Sequence, residues 1–224
     1  MAKSGSAPTS TVEDYLKCVL VQQQGGADLV SMGQIASRLD VAPGTVTAMM
    51  KTLAESGLVE YEPYSGVRLT AAGRRLGMHV LRRHRLIELF LVQVIGLDWS
   101  EVHAEAELLE HAVSDRLIER IDEMLDFPSV DPHGDPIPDR SGVLEEDSAH
   151  TLASAPTGTA LEVARVADQS SDFLREMERM GLVPGAAVRV MERQEVTDAL
   201  RLEVGEAATS LTLGLRAAAK IFVR

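Results

Sequence analysis

At 224 residues, with 45% hydrophobic and only 4% aromatic side chains, the chain can hold two or three small domains with a real core. A net charge of −12 argues against a surface that is basic throughout, and no apolar run approaches the ~20 residues of a membrane-spanning helix. The single cysteine, Cys18, excludes an intrachain disulfide framework and a cysteine zinc site; it reads as a small core residue of a helix. The first ten residues are small and polar, without an apolar signal core or a twin-arginine pair, so a soluble cytoplasmic protein with no membrane partner is expected.

The charge is unevenly placed. Lys and Arg stand against Asp and Glu as 7 to 7 over residues 1–75, 6 to 17 over 76–150 and 9 to 10 over 151–224. A neutral first third leaves contact with DNA open, whereas the acidic middle third suits a cation.

In chain order, Thr9 and Ser10 can cap a helix whose core face is Val12, Leu16, Val19 and Leu20, with Asp14 in its first turn. After Gly25-Gly26 comes a short helix from Ser31 with Ile35 and Leu39 at i,i+4. Val41-Ala42 makes a turn, and Pro43 fits the first position of the next helix. That helix turns Val46, Met49, Met50 and Leu53 inward and Gly44, Ala48, Lys51 and Glu55 outward. Leu58 to Thr70 alternates as two strands around a tip at Tyr64-Ser65-Gly66. Helix, tight turn, helix, hairpin is the order of a winged helix-turn-helix, whose second helix enters the major groove of double-stranded DNA. The expected contacts are Ala42, Pro43, Gly44 and Ala48 for close approach, Thr45, Thr47 and Thr52 as polar groups, and Lys51 and Arg68 as charge. No Arg or Gln faces outward for strong base readout, so thymine-methyl contacts and DNA shape are expected to share the specificity.

A long helix is expected from Thr70 to Gly96. Its Leu86–Ile95 stretch is apolar nearly all round and so buried by its own domain or by a twin subunit. Asp98-Trp99-Ser100 opens the next helix, where His103, Glu107, Glu110 and His111 share one polar stripe, with Val102, Ala106, Leu109, Val113 and Leu117 on another. A further helix runs from Ser114 to about Leu125. A Glu/His face on an amphipathic helix is ordinarily a solvated face. Here a second pair, His84 and Glu88, lies at i,i+4 on the preceding helix, and a divalent cation takes neutral imidazole and ionised carboxylate together.

Residues 84–91 (His-Arg-Leu-Ile-Glu-Leu-Phe-Leu), 95–98 (Ile-Gly-Leu-Asp), 102–115 (Val-His-Ala-Glu-Ala-Glu-Leu-Leu-Glu-His-Ala-Val-Ser-Asp) and 131–138 (Asp-Pro-His-Gly-Asp-Pro-Ile-Pro) resemble the diphtheria-toxin-repressor family. The similarity runs over nearly the whole chain. It implies a homodimeric, metal-activated repressor of α+β class: a winged-helix domain (1–75), a helical metal-binding and dimerisation domain with linker (76–150), and an SH3-like small β-barrel (151–224). By resemblance the primary metal position is Asp14, Glu107, Glu110 and His111, and a second uses His84, Glu88 and His103. In the iron-sensing branch the residues matching Asp14 and Glu107 are methionine and cysteine. Carboxylates at both places resemble the manganese-sensing branch, and a site of oxygen and imidazole without sulfur suits Mn²⁺. Lys17 departs from the glutamate that small manganese-branch members carry three residues after the aspartate, so Fe²⁺ stays open; Co²⁺ would serve as a surrogate.

Residues 126–155, rich in Pro, Gly, Ser and Asp, read as a linker. Its Asp131 and His133 are either loop residues or ligands, since matching positions bind metal in related manganese sensors that carry the third domain. From Gly158 the chain turns β-rich: Ala160–Val166, a helix over Asp172–Met180, then strands at 187–191, 199–204, 211–213 and 221–223. The 174–185 run resembles the family's SH3-like domain and small iron-transport accessory proteins. The family's ligands from this domain are a Glu and a Gln; Asp168, Gln169 and Asp172 are the candidates here. No small organic ligand is expected. Two other readings are a di-metal carboxylate oxidase, which wants a Glu-x-x-His spacing absent from these helices, and a metal-independent regulator with a merely structural polar stripe.

Overall fold

The computed structural model describes residues 8–144 and 148–224. The first seven residues and the acidic stretch 145–147 of the expected linker lie outside the described residues. The described residues form two compact units, 8–83 with 138–143, and 84–137 with 144 and 148–224.

The first unit is built from local signals. Helix α1 (Ser10–Gln24) is capped by the Thr9 hydroxyl, which accepts from the Val12 N–H. Ser31 and Gln34 form a reciprocal capping box on α2 (Met32–Leu39), satisfying N–H groups that would otherwise lack partners. Asp40 turns the chain in the left-handed conformation, and Pro43 opens α3 (Pro43–Glu55). Strands β1 (Val59–Glu62) and β2 (Gly66–Leu69) pair antiparallel, with Glu60 opposite Arg68 and Tyr64 wholly exposed at the tip. Val30 bridges to Val67 on the other side of β2. A Cβ on Gly66 would stand 2.6 Å from the Val30 carbonyl oxygen, so only glycine admits that third strand segment. Leu16, Val19, Ile35, Val46, Met50, Leu53 and Val67 form the core. Burying each such side chain contributes roughly 1.5–3 kcal/mol.

Helix α4 (Ala71–Phe90) ends in a π-turn over Leu91–Ile95, closed by Gly96 at φ 81. In the second unit its later turns pack with α5 (Val102–Leu109) and α6 (Asp115–Met124) around Leu86, Ile87, Val102, Ala106, Ile118 and Ile121. The sequence expectation is corrected in two places. Glu110 and His111 lie beyond the last turn of α5, because Ser114 caps a new helix; Leu117 therefore belongs to α6 and is half exposed. Val94, Ile95, Leu108, Leu117, Met124 and Phe127 are all exposed apolar side chains of this segment.

The rest is an antiparallel six-stranded sheet, order β3-β8-β4-β5-β6-β7. Its strands are β3 (His150–Thr151), β4 (Ala160–Val166), β5 (Ala187–Gln194), β6 (Ala199–Val204), β7 (Thr209–Gly214) and β8 (Ile221–Val223). Helix α7 (Ser171–Arg179) and the short α8 (Leu215–Ala218) complete it, and β3 and α8 were not read from the sequence. Register shifts in β4 and β5 re-aim the strands over a core that includes Leu174, Met177, Leu182, Val190 and Leu202. This sheet with its two helices is the SH3-like β domain that the sequence leads one to expect, with β3 and β7 as its outer strands.

Candidate metal centre and DNA-reading surface

In the second unit, α4 brings up His84 and Glu88 one turn apart, and α5 with its C-terminal extension brings His103, Glu107, Glu110 and His111. His84 Nε2 lies 2.9 Å from Glu88 Oε1 and 3.1 Å from His103 Nδ1, and His103 Nδ1 lies 3.1 Å from the same Glu88 oxygen. Ligands that each stand about 2.0–2.2 Å from one cation are about 3 Å from each other, so this triangle has the dimensions of a coordination sphere. On the other side of the ring, His84 Nδ1 is 2.6 Å from Glu110 Oε2 and 3.9 Å from Glu107 Oε1. His111 Nε2 is 3.2 Å from Glu110 Oε1. Both Glu88 and Glu110 are fully buried. Glu110 is thus not part of a solvated face, although His103 and Glu107 stay partly exposed, and carboxylates this deep need positive partners. Burial would raise the Glu88 carboxyl, but His84, His103 and His133 together hold it below the ordinary carboxylate range.

The segment read as a linker supplies a third group. Asp131 Oδ1 accepts from the backbone N–H groups of His133 (2.8 Å) and Asp135 (3.0 Å), folding 131–135 into a tight turn that carries Asp131 and His133 into the interior. His133 Nε2 stands 2.9 Å from the Trp99 carbonyl oxygen, which can only accept. A proton therefore sits on Nε2, and Nδ1 is the ring atom turned toward the carboxylates, 3.9 Å from Glu88 Oε2 and from Asp131 Oδ1. Three buried atoms then lack hydrogen-bond partners: His133 Nδ1, Glu88 Oε2 and Asp131 Oδ2. Ligand atoms of these same three residues lie within 4.8 Å of one another. Unsatisfied polar atoms cost free energy wherever they are buried, and two carboxylates with an imidazole at this spacing are a donor set that fits a divalent cation. Burial, reinforced by the charges of Asp135 and Glu88, pushes the Asp131 carboxyl well above its ordinary range, with Arg85 opposing at 3.5 Å. A dication held here would supply the positive charge that keeps the Asp131 carboxyl ionised.

The structure does not bring Asp168 and Asp172 to this cluster. Asp168 accepts from Lys220 Nζ at 2.5 Å and from the Ser170 hydroxyl at 2.7 Å, and Asp172 sits exposed in the first turn of α7. Asp168 is withdrawn by a lysine 52 residues away in sequence, which no local spacing reveals. Residues overlooked by sequence reasoning are Trp99, whose carbonyl orients His133, and Arg85, Asp135 and Arg165, which form an ionic network behind the turn. Only Asp135 had a signal, its place in the 131–138 motif. Asp14 belongs to the first unit, half-buried on α1.

On α3 the expected face is open: Ala42, Pro43, Gly44, Thr45, Ala48, Lys51 and Thr52 are exposed. Two expected donors are engaged. The Thr47 hydroxyl donates to the Pro43 carbonyl and that of Thr52 to the Ala48 carbonyl. Arg68 lies 2.6 Å from Glu60, 3.5 Å from Glu62 and 4.0 Å from Asp28, so its charge is already neutralised by the wing. Lys51→Ala is therefore expected to weaken DNA binding and to reduce the slope of log affinity against log salt by about 1, whereas Arg68→Ala leaves that slope within about 0.3. Fluorescence anisotropy with labelled DNA at several salt concentrations reads both.

A winged helix-turn-helix joined to a His/carboxylate cluster and a small β domain defines a metal-dependent DNA-binding transcriptional repressor, not an enzyme. Residues 8–67 match the iron-dependent repressor N-terminal DNA-binding domain, 70–139 the iron-dependent repressor metal-binding and dimerisation domain, and 150–224 the FeoA domain. The chain belongs to the iron-dependent repressor family, that of the diphtheria toxin repressor. It is 34% identical over 192 residues to the iron-dependent repressor IdeR of Mycobacterium tuberculosis, covering 80% of this chain and 83% of that one. With the diphtheria toxin repressor of Corynebacterium diphtheriae it shares 32% over 193 residues, 84% of each chain. A solved manganese-dependent transcriptional repressor in complex with manganese superposes with a TM-score of 0.89 at 40% identity, covering 95% of this chain and 98% of that one. Family membership removes the oxidase and the metal-independent regulator from consideration. No helix of the described residues is long and apolar enough to cross a membrane.

Proposed function

We propose that this chain is a cytoplasmic, manganese-activated homodimeric repressor that controls metal-ion homeostasis by binding a two-fold symmetric operator. The observation that carries the metal is the donor set: carboxylate and imidazole with no thiolate or thioether, which favours Mn²⁺ over softer ions. Fe²⁺ is the second reading, favoured by the likeness to IdeR. The proposed ligands are His84, Glu88 and His103; Glu88 with Asp131 and His133; and Glu107, Glu110 and His111, joined on the strength of the sequence resemblance by Asp14. The exposed apolar residues of the helical segment suit a subunit interface.

A bound cation supplies charge that lets neighbouring carboxylates stay ionised side by side. Glu110 and His84 hold one another in position from α4 and from the end of α5. The sequence resemblance assigns Asp14, on the helix that leads toward α3, to the same metal position. Metal thereby favours, within an existing ensemble, the spacing at which two recognition helices meet successive major grooves about 34 Å apart.

The test is operator affinity titrated separately with Mn²⁺, Fe²⁺, Co²⁺ and Zn²⁺ against a chelator control, alongside Asp14→Ala. Mn²⁺ is expected to raise affinity at the lowest free concentration, and Asp14→Ala to abolish the metal response while leaving the dimer intact. A full metal response in Asp14→Ala removes Asp14 from the switch. Activation by Fe²⁺ at lower free concentration than Mn²⁺ selects the iron reading.

A further inference from the structure

We infer that Arg165 and Gln169 of the β-sheet domain are positioning residues for the Glu88/Asp131/His133 metal site, acting through the carboxylate of Asp135. This rests on the reading of those three residues as a metal site.

The turn 131–135 has one wall in the helical segment and the other on the sheet. Its backbone is docked on β4, where the Val166 N–H donates to the His133 carbonyl at 2.9 Å. Gly134, at φ +86, lies so close to β4 that an added Cβ would stand 2.0 Å from the Ala164 carbonyl oxygen. The side-chain latch is Asp135. Arg165 Nη1 reaches its Oδ1 at 3.2 Å, and Gln169 Nε2 donates to its Oδ2 at 3.1 Å. Arg165 is itself held 3.7 Å from the centre of the Phe222 ring on β8, so the latch is anchored to two strands.

Asp135 passes this anchoring to the ligands. Its N–H donates to Asp131 Oδ1, the oxygen 3.9 Å from His133 Nδ1, its carbonyl accepts from the Asp131 N–H, and the other Asp131 oxygen faces Arg85. Arg85 is shared between the two carboxylates, 3.5 Å from Asp131 and 3.7 Å from Asp135. While Arg165 and Gln169 satisfy Asp135, Arg85 is not drawn wholly to it and Asp131 keeps its orientation. Groups that orient a ligand from behind typically change metal affinity by about 10–100-fold when removed. By linkage, metal at this site also tightens the docking of the turn on the sheet.

Trp99 is the only tryptophan in the chain and stacks on His133 with ring centroids 5.6 Å apart, which gives an optical reporter. The experiment is a Mn²⁺ titration of the full chain followed by Trp99 emission, with hydrogen exchange of the 131–135 amides, on the parent, His133→Ala, Arg165→Ala/Gln169→Ala, Arg165→Lys and Gln169→Glu. Metal-free melting is measured for each. The double variant is expected to bind Mn²⁺ at least tenfold more weakly and to lose metal-induced amide protection, with Arg165→Lys recovering most of the affinity. Gln169→Glu sets a carboxylate against Asp135 from a half-buried loop and is expected to weaken binding without loss of fold, which serves if the double variant is unstable. If His133→Ala weakens the reported binding but the latch variants bind as the parent does, the latch is overturned and the metal site stands. If His133→Ala binds as the parent does, the metal reading falls and the latch with it. Weakening that only tracks a lower metal-free melting temperature, without rescue by Arg165→Lys, also overturns the positioning role.

Discussion

Glu110→Gln is expected to abolish metal-dependent operator binding while leaving a folded dimer. The Glu110 carboxylate is wholly buried, one oxygen 2.6 Å from His84 Nδ1 and the other 3.2 Å from His111 Nε2. Glutamine keeps the shape and one carbonyl oxygen, so packing around α5 is retained. It removes the negative charge and replaces an acceptor with an NH₂ group that cannot ligate a cation. The loss of a charged ligand should exceed that of a supporting residue, so Mn²⁺ affinity is expected to fall on the order of 100-fold or more, about 2.8 kcal/mol. Calorimetric Mn²⁺ titration and anisotropy at fixed free Mn²⁺ measure the two halves of the statement. Parent-like affinity in both would remove Glu110 from the metal position.

The second large effect is on stability. Gly134→Ala adds a methyl group 2.0 Å from the Ala164 oxygen and 2.8 Å from the Arg165 Cα, at a backbone φ of +86. The left-handed conformation costs a non-glycine residue roughly 1–2 kcal/mol, and forcing atoms into a packed contact costs roughly 1–3 more. Relief requires the 131–135 turn to lift from β4, breaking the Val166–His133 hydrogen bond and displacing His133. A destabilisation of about 3 kcal/mol corresponds to a melting temperature lower by about 6–12 °C for a chain of this size. Thermal unfolding of the metal-free protein measures it. A shift under about 2 °C would mean that the turn is free to retreat from the strand.

How far each feature could be read in advance depended on the distance between the residues that make it. The capping box of Ser31 and Gln34, the proline at the start of α3 and the alternation of the wing are local, and each lies where the sequence puts it. The neutralisation of Arg68 was half legible: Glu60 faces it across the hairpin register, but Asp28 comes from another part of the chain. Asp131 and His133 sat in a stretch whose Pro, Gly and Asp content reads as solvated chain. They are buried because Asp131 satisfies the turn's own N–H groups and Gly134 lets the turn press against β4. Asp168 read as a ligand candidate until Lys220 claimed it.

From its sequence by itself the chain declares the winged helix-turn-helix, the helical segment, the β-rich last third and the pairing of His84 with Glu88 and of His103 with Glu107. Helix and strand periods place such residues side by side whatever the rest of the protein does. Tertiary structure alone decided that Glu88 and Glu110 are buried rather than solvated, that the linker turn brings His133 Nδ1 to within 3.9 Å of Glu88, and that the sheet holds that turn through Asp135. Those outcomes depend on which distant charges meet in a low-dielectric interior, where an unpaired group costs several kcal/mol and a partner tens of residues away settles the arrangement.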